Sequence, residues 1–133
     1  ILEEMGFEIA INDMVEGWSK RHPRVLMSYS FDKKIEELIS PSFAGHIYRI
    51  IQEALTNISK HSKPKKITVN LELKKKETEL EIKISNNGVI QNPNKENGVG
   101  LLGMIERVRQ MKGTIKFKKR NNFEIFITVR LNP

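Results

Sequence analysis

The chain has no cysteine, which excludes both a disulfide framework and a thiolate metal site. Histidine is scarce: His22, His46 and His61 do not cluster at metal-ligand spacing. No apolar run approaches the roughly 18–20 residues of a membrane-spanning helix, and no signal peptide opens the chain. There is no Gly-Lys-Ser/Thr phosphate loop and no early strand, glycine turn and helix of the dinucleotide-binding kind. Aromatic residues, 7% of the chain, are not interleaved with the basic runs as a stacking platform for nucleic acid would need. An initiator methionine is missing too. The chain opens on Ile1-Leu2-Glu3, mid-helix in character, and reads as a piece of a longer protein.

What is present fits one domain of 133 residues, with 38% hydrophobic residues to build a core. The formal charge is +7, and the lysines come in runs at 63–66, 74–76 and 116–119. Such runs attract anionic partners, but they also keep strand ends and hairpin turns soluble. Apolar residues from Leu2 to Trp18 recur at mostly helical spacing, with Gly6 and Gly17 as weak points. Arg24–Phe31 is rich in strand formers, and Asp32–Glu37 is a charged connection. Ala44–Ser62 is the clearest helix, with Ser42 as its candidate cap and Pro64 forbidding its continuation. Lys66–Leu73 and Glu79–Ser85 alternate as a hairpin with one buried face. Asn86–Asn97 reads as a loop, Leu101–Met111 as a second amphipathic helix, and Thr114–Lys119 with Phe123–Leu131 as a closing hairpin. This order predicts an α+β two-layer sandwich, a mixed sheet covered on one face by about three helices.

Two features carry chemistry. Glu53, Asn57, Lys60 and His61 recur at intervals of three and four, so they share one helical face beside the apolar stripe. A carboxylate, a carboxamide oxygen and a cation in one row suit a magnesium–triphosphate: hard oxygen ligands for the metal, positive charge for the phosphates. A polar helix face is also simply a solvated face. The second feature is Gly98-Val99-Gly100-Leu101-Leu102-Gly103-Met104 running into a helix, with Asn86-Asn87-Gly88 before it. Glycines there permit positive φ and close backbone approach to phosphate, and the helix N-terminus adds partial positive charge.

With their order and spacing, these motifs resemble the histidine-kinase-type ATPase domain of the gyrase, chaperone and kinase superfamily (the Bergerat fold). The likeness is greatest to sensor kinases that pair with helix-turn-helix response regulators. Gln52-Glu53-Ala54-Leu55-Thr56-Asn57-Ile58-Ser59-Lys60-His61-Ser62 is similar to their N box, Ser85-Asn86-Asn87-Gly88 to the first glycine box, and Gly98–Met104 with Glu106-Arg107-Val108 to the second. The resemblance covers nearly the whole chain, 1–133. It implies ATP and Mg²⁺ as ligands, with Asn57 and Glu53 at the metal and Glu53, Lys60 and His61 as catalytic groups. Asn86 and Gly88 would meet the base, and Gly98, Gly100, Leu101 and Gly103 would form the lid and helix start over the phosphates. It further implies a cytoplasmic domain of a homodimeric parent, of a kind that can be membrane-anchored, whose partners are its own dimerisation and phosphotransfer domain and a response regulator, with no nucleic acid expected. No histidine here resembles the phosphoacceptor, so the fragment is expected not to autophosphorylate.

The sequence departs from the family at three places. The usual adenine-reading aspartate falls at Asn86, whose amide accepts without charge assistance but also donates. Asn122-Phe123 replaces a Gly-Thr turn, and the segment between Gly88 and Gly98 is short. The alternative function, a degenerate kinase-like docking module without nucleotide, draws on the first two. A serine-phosphorylating anti-sigma kinase and a basic nucleic-acid binder are weaker rivals: the Gln52–Ser62 match opposes the first, and the second has charge but no reading element. The Asn87–Asn97 stretch is expected to be mobile without nucleotide and to order with it.

Overall fold

The computed structural model describes residues 2–90, 99–119 and 122–131. Helices α1 (Leu2–Met5) and α2 (Phe7–Arg21) replace the single helix read from periodicity. Gly6 lies between them at φ +88°, a backbone state that costs glycine little and other residues more. A Cβ there would also stand 3.2 Å from a carboxylate oxygen of Glu36. That carboxylate accepts from the backbone N–H groups of Phe7 and Glu8 at 3.2 and 2.8 Å, a capping anion supplied from elsewhere in the chain. Its source is α3 (Ile35–Leu38), a short helix where the sequence suggested only a connection; the buried Ile35 anchors it.

Strand β1 (Leu26–Phe31) and α3 lead to α4 (Pro41–His61), the longest helix. Ser40, not Ser42, is its cap. The Ser40 hydroxyl accepts from the Phe43 N–H at 3.1 Å, and Pro41 occupies the first turn, where its missing N–H costs nothing. Two short strands, β2 (Ser62–Lys63) and β5 (Val89–Ile90), pair antiparallel. The main sheet adds β3 (Lys66–Lys74), β4 (Glu79–Asn86), β6 (Thr114–Lys119) and β7 (Phe123–Arg130), in the order β1-β3-β4-β7-β6. Among the described strand pairs only β1 and β3 are parallel, joined by the α3–α4 crossover, so the sheet is mixed as predicted. Helix α5 (Val99–Gln110) precedes the final hairpin. Residues 91–98, including Gly98 and most of the predicted loop, lie outside the described residues, whereas Asn86, read as loop, ends β4.

The core is a layer between sheet and helices. From β3, β4 and β7, Ile67, Val69, Leu71, Leu80, Ile82, Ile84, Ile125, Ile127 and Val129 all point into it. From α4 come Ile47, Ile50, Ile51, Leu55 and Ile58, all essentially buried; at about 2 kcal/mol each they contribute roughly 10 kcal/mol of gross burial before entropy. The C-terminal half of α2 is tied to α4 by polar contacts. Trp18 Nε1 donates to Ser59 Oγ at 2.8 Å, and Ser59 Oγ donates to the Leu55 carbonyl at 3.1 Å. The His22 ring stacks on Trp18 with centroids 3.8 Å apart. Its Nδ1 lies 2.8 Å from the Trp18 carbonyl, which can only accept, so that nitrogen carries the proton.

Tyr29 of β1 donates its hydroxyl to Asn12 of α2. Burial, aided by the nearby Glu8 carboxylate, raises the phenol's pKa well above the ordinary value of 10. A neutral form favoured by folding contributes stability that is present below pH 10 and lost as pH rises above it. The stability difference between the native chain and Tyr29→Phe, about 1 kcal/mol at neutral pH, is therefore expected to shrink in urea titrations above pH 10. A difference independent of pH would mean that the hydroxyl is not desolvated.

Candidate functional site

Because α4 turns its apolar stripe into the core, its adjoining face is left for Glu53, Asn57, Lys60 and His61. Glu53 and Lys60 are exposed and Asn57 is half-buried. Among the described residues none of these three side chains makes a hydrogen bond or ion pair. His61 closes the helix with its Nδ1 buried and unpartnered, an arrangement that costs about 1–3 kcal/mol unless a ligand satisfies it. The last two turns or so of α4 therefore gather a carboxylate, a carboxamide, an ammonium and an imidazole that the protein itself leaves unused. Among the described residues no group of three or more His, Asp and Glu side chains could hold a metal by itself. A metal here would have to arrive with oxygen ligands of its own.

Asn86, at the end of β4, is only 1% exposed. Its Nδ2 donates to Ser62 Oγ at 2.8 Å, and the Ser62 hydroxyl donates onward to the Ile58 carbonyl at 2.7 Å. Its Oδ1 accepts from the Gly88 N–H at 2.9 Å, which fixes the oxygen end of the amide. The last turn of α4 and the end of β4 are thus joined by one polar chain. An amide has two N–H groups and two lone-pair positions, so Asn86 keeps one of each for a further partner. Asn87 closes the same junction, with Oδ1 accepting from the Lys66 N–H at 2.6 Å.

The reason for Gly88 differs from the expected positive φ. The only described glycine in that region of backbone space is Gly6. A Cβ on Gly88 would instead fall 2.2 Å from the Lys63 carbonyl oxygen and 2.3 Å from Pro64 Cα. Glycine is needed because β5 passes directly against the chain leaving α4.

Helix α5 packs on α4, and its Met104 and Val108 are buried in the core, where Leu101 also lies at 8% exposure. The Leu101 side chain therefore seats the helix start rather than reaching outward. Gly100 falls in the first turn, and Gly103 has open space where a Cβ would be. Arg107, which the sequence reading quoted but did not single out, sets Nη1 3.4 Å from His46 Nδ1. His46 and Glu53 are seven residues apart, two turns of helix on one face. The only sequence signal for Arg107 was its place after the second glycine box.

Residues 44–133 match the model of the family described as histidine kinase-, DNA gyrase B- and HSP90-like ATPases. The chain is 30% identical over 112 residues to the sensor histidine kinase LiaS of Bacillus subtilis (strain 168), covering 84% of this chain and 30% of LiaS. It is 33% identical over 99 residues to the signal transduction histidine-protein kinase/phosphatase DegS of the same organism, covering 72% of this chain and 26% of DegS. It thus spans less than a third of either relative. In fold it is similar to the catalytic domain of histidine kinase ThkA, with a TM-score of 0.65 and 16% identity, over 92% of this chain and 94% of that one.

Two substitutions test the junction. Gly88→Ala is expected to lower the melting temperature by several degrees, since backbone on both sides must move to admit the methyl group. An unchanged melting temperature would show that β5 is not held against Lys63–Pro64. Asn86→Asp removes the donor to Ser62 and buries a carboxylate, so a loss of about 1–3 kcal/mol is expected in urea unfolding. An equal or higher midpoint would mean that Ser62 turns its hydroxyl to the new carboxylate without cost.

Proposed function

Given that the chain belongs to the histidine kinase-, DNA gyrase B- and HSP90-like ATPase family, we propose that it is the ATP-binding catalytic domain of a two-component sensor histidine kinase. One observation carries the reading at the level of residues. Glu53, Asn57 and Lys60 have no partner within the described protein, and a buried nitrogen of His61 beside them is unsatisfied. Asn57 would supply an amide oxygen to Mg²⁺, with Glu53 organising the metal one turn earlier. A single carboxylate and a carboxamide fit a hard cation that brings triphosphate oxygens and water with it. When bound, Mg²⁺ neutralises charge on the phosphates. Lys60 and His61 would face the phosphate oxygens, and the N-terminus of α5, with Gly100 in its first turn and seated by Leu101, would add N–H groups and partial positive charge, Gly98 serving as part of the lid. Gly103 would keep that turn unobstructed. Asn86, with one N–H and one lone pair to spare, would meet the adenine edge, and Gly88 would hold β5 close beneath it.

The chain would position ATP so that its γ-phosphate passes to a histidine on a separate dimerisation domain, and from there to a response regulator. None of its own histidines suits that role: His22 is stacked and bonded to Trp18, His46 lies beside Arg107, and His61 belongs to the site. The isolated chain would bind ATP without autophosphorylating. No described helix is long and apolar enough to cross a membrane, and we place the domain on the cytoplasmic side of a homodimeric parent.

Calorimetric titration of ATP with and without Mg²⁺ tests this. Asn57→Ala is expected to weaken Mg-ATP binding about tenfold or more while leaving the unfolding midpoint within about 0.5 kcal/mol of native, because the residue lies off the apolar stripe. Equal affinity in mutant and native chains would remove Asn57 from the metal. Failure of the native chain to bind ATP in either condition would favour the docking-module alternative.

A further inference from the structure

The main sheet has a second face, turned away from the helices, and its side chains fall in rows set by strand register. One row runs Asn70, Lys83, Phe126, Lys116 across β3, β4, β7 and β6. The next on one side runs Thr68, Ser85, Glu124, Lys118, and on the other Glu72, Glu81, Thr128, Thr114. Phe126 is thus flanked directly by two lysines and diagonally by a third. Lys118 Nζ lies 5.1 Å and Lys83 Nζ 5.8 Å from the ring centroid. Lys83 also meets Glu124 at 3.5 Å. Neither Lys116 nor Lys118 forms an ion pair among the described residues. The carboxylates of this face lie mainly toward β3, where Lys74 bridges to Glu72. Lys83, Lys116, Lys118 and Phe126, with Glu72 and Glu81 toward β3, line a concavity of about 510 Å³ on the sheet.

We propose that this face is a docking surface for an extended acidic segment of a partner protein, with acidic side chains at alternate positions. Charge complementarity identifies the occupant. Lys116 and Lys118 are two residues apart on one strand, about 7 Å, which is the repeat of alternate side chains on an extended chain. Strand β6 is the edge of the sheet, so among the described residues no strand covers its outer backbone groups and an extended peptide can add alongside. Lysines on an edge also serve to prevent self-pairing. The arrangement goes beyond that role, because Phe126 collects two ammonium groups over one ring and holds them toward the same space. The same arrangement disfavours nucleic acid, since a base cannot stack on a ring whose face the ammoniums occupy. The surface lies on the opposite side of the sheet from Asn57 and is independent of the nucleotide reading.

The test is fluorescence anisotropy of a labelled peptide of alternating glutamate and threonine, added to the whole chain at low salt. Saturable binding is expected, with amide shifts in Thr114–Lys119 and at Phe126 in the unmutated chain. The pair Lys116→Glu and Lys118→Glu is expected to weaken binding about tenfold or more. The same charge change at Lys20 and Lys33, on other elements, should alter it less than about twofold, and circular dichroism would confirm that both double variants fold. Equal weakening by the control pair, preference for oligothymidylate of the same charge, shifts elsewhere on the chain, or no saturable binding would each overturn the proposal.

Discussion

The seating of α4 on the sheet is the constraint on which the remaining structure depends. Five large apolar side chains fix the rotation of that helix, because turning it would expose isoleucines and bury charge. Once the rotation is fixed, Glu53, Asn57 and Lys60 have no choice of direction. The helix presents them together, and the core supplies the rigidity. The site is thus a by-product of hydrophobic burial in its placement, though not in its composition.

A second constraint joins the end of the helix to the sheet. The polar chain from Asn86 through Ser62 to Ile58 is buried, so each donor must keep its acceptor. It locks the place where α4 gives way to β2 against the place where β4 gives way to β5. Gly88 belongs to the same lock, for a reason of space and not of torsion. Asn86 is therefore a member of the internal scaffold as well as a candidate for contact with a base. A neutral amide serves both ends of that scaffold, donating to Ser62 and accepting from Gly88, which a carboxylate could not do.

The two faces of the sheet carry different kinds of information. The inner face alternates apolar residues on β3, β4 and β7, and that alternation was readable directly, as was the stripe on α4. The family relationship was readable because its motifs are local and ordered along the chain. Short elements were not: α3 has one buried anchor and too few residues to show a period, and β2 and β5 are two residues each. The cap of α4 was misplaced by two residues because Ser40 and Ser42 are chemically equivalent in sequence, and only the turn geometry around Pro41 selects between them.

The sequence by itself determined the α+β class, the long helix, both hairpins, and the row of Glu53, Asn57, Lys60 and His61. These follow from spacings of two, three and four residues, which backbone geometry converts directly into a shared face. Tertiary structure alone decided that Glu36 caps α2, that Arg107 meets His46, and that Asn86 bonds Ser62. It alone gathered Lys83, Lys116 and Lys118 around Phe126, where the sequence had shown basic runs without aromatic company. The physical reason is that strand register and helix packing join residues tens of positions apart, and no local pattern encodes which of many polar side chains will become neighbours.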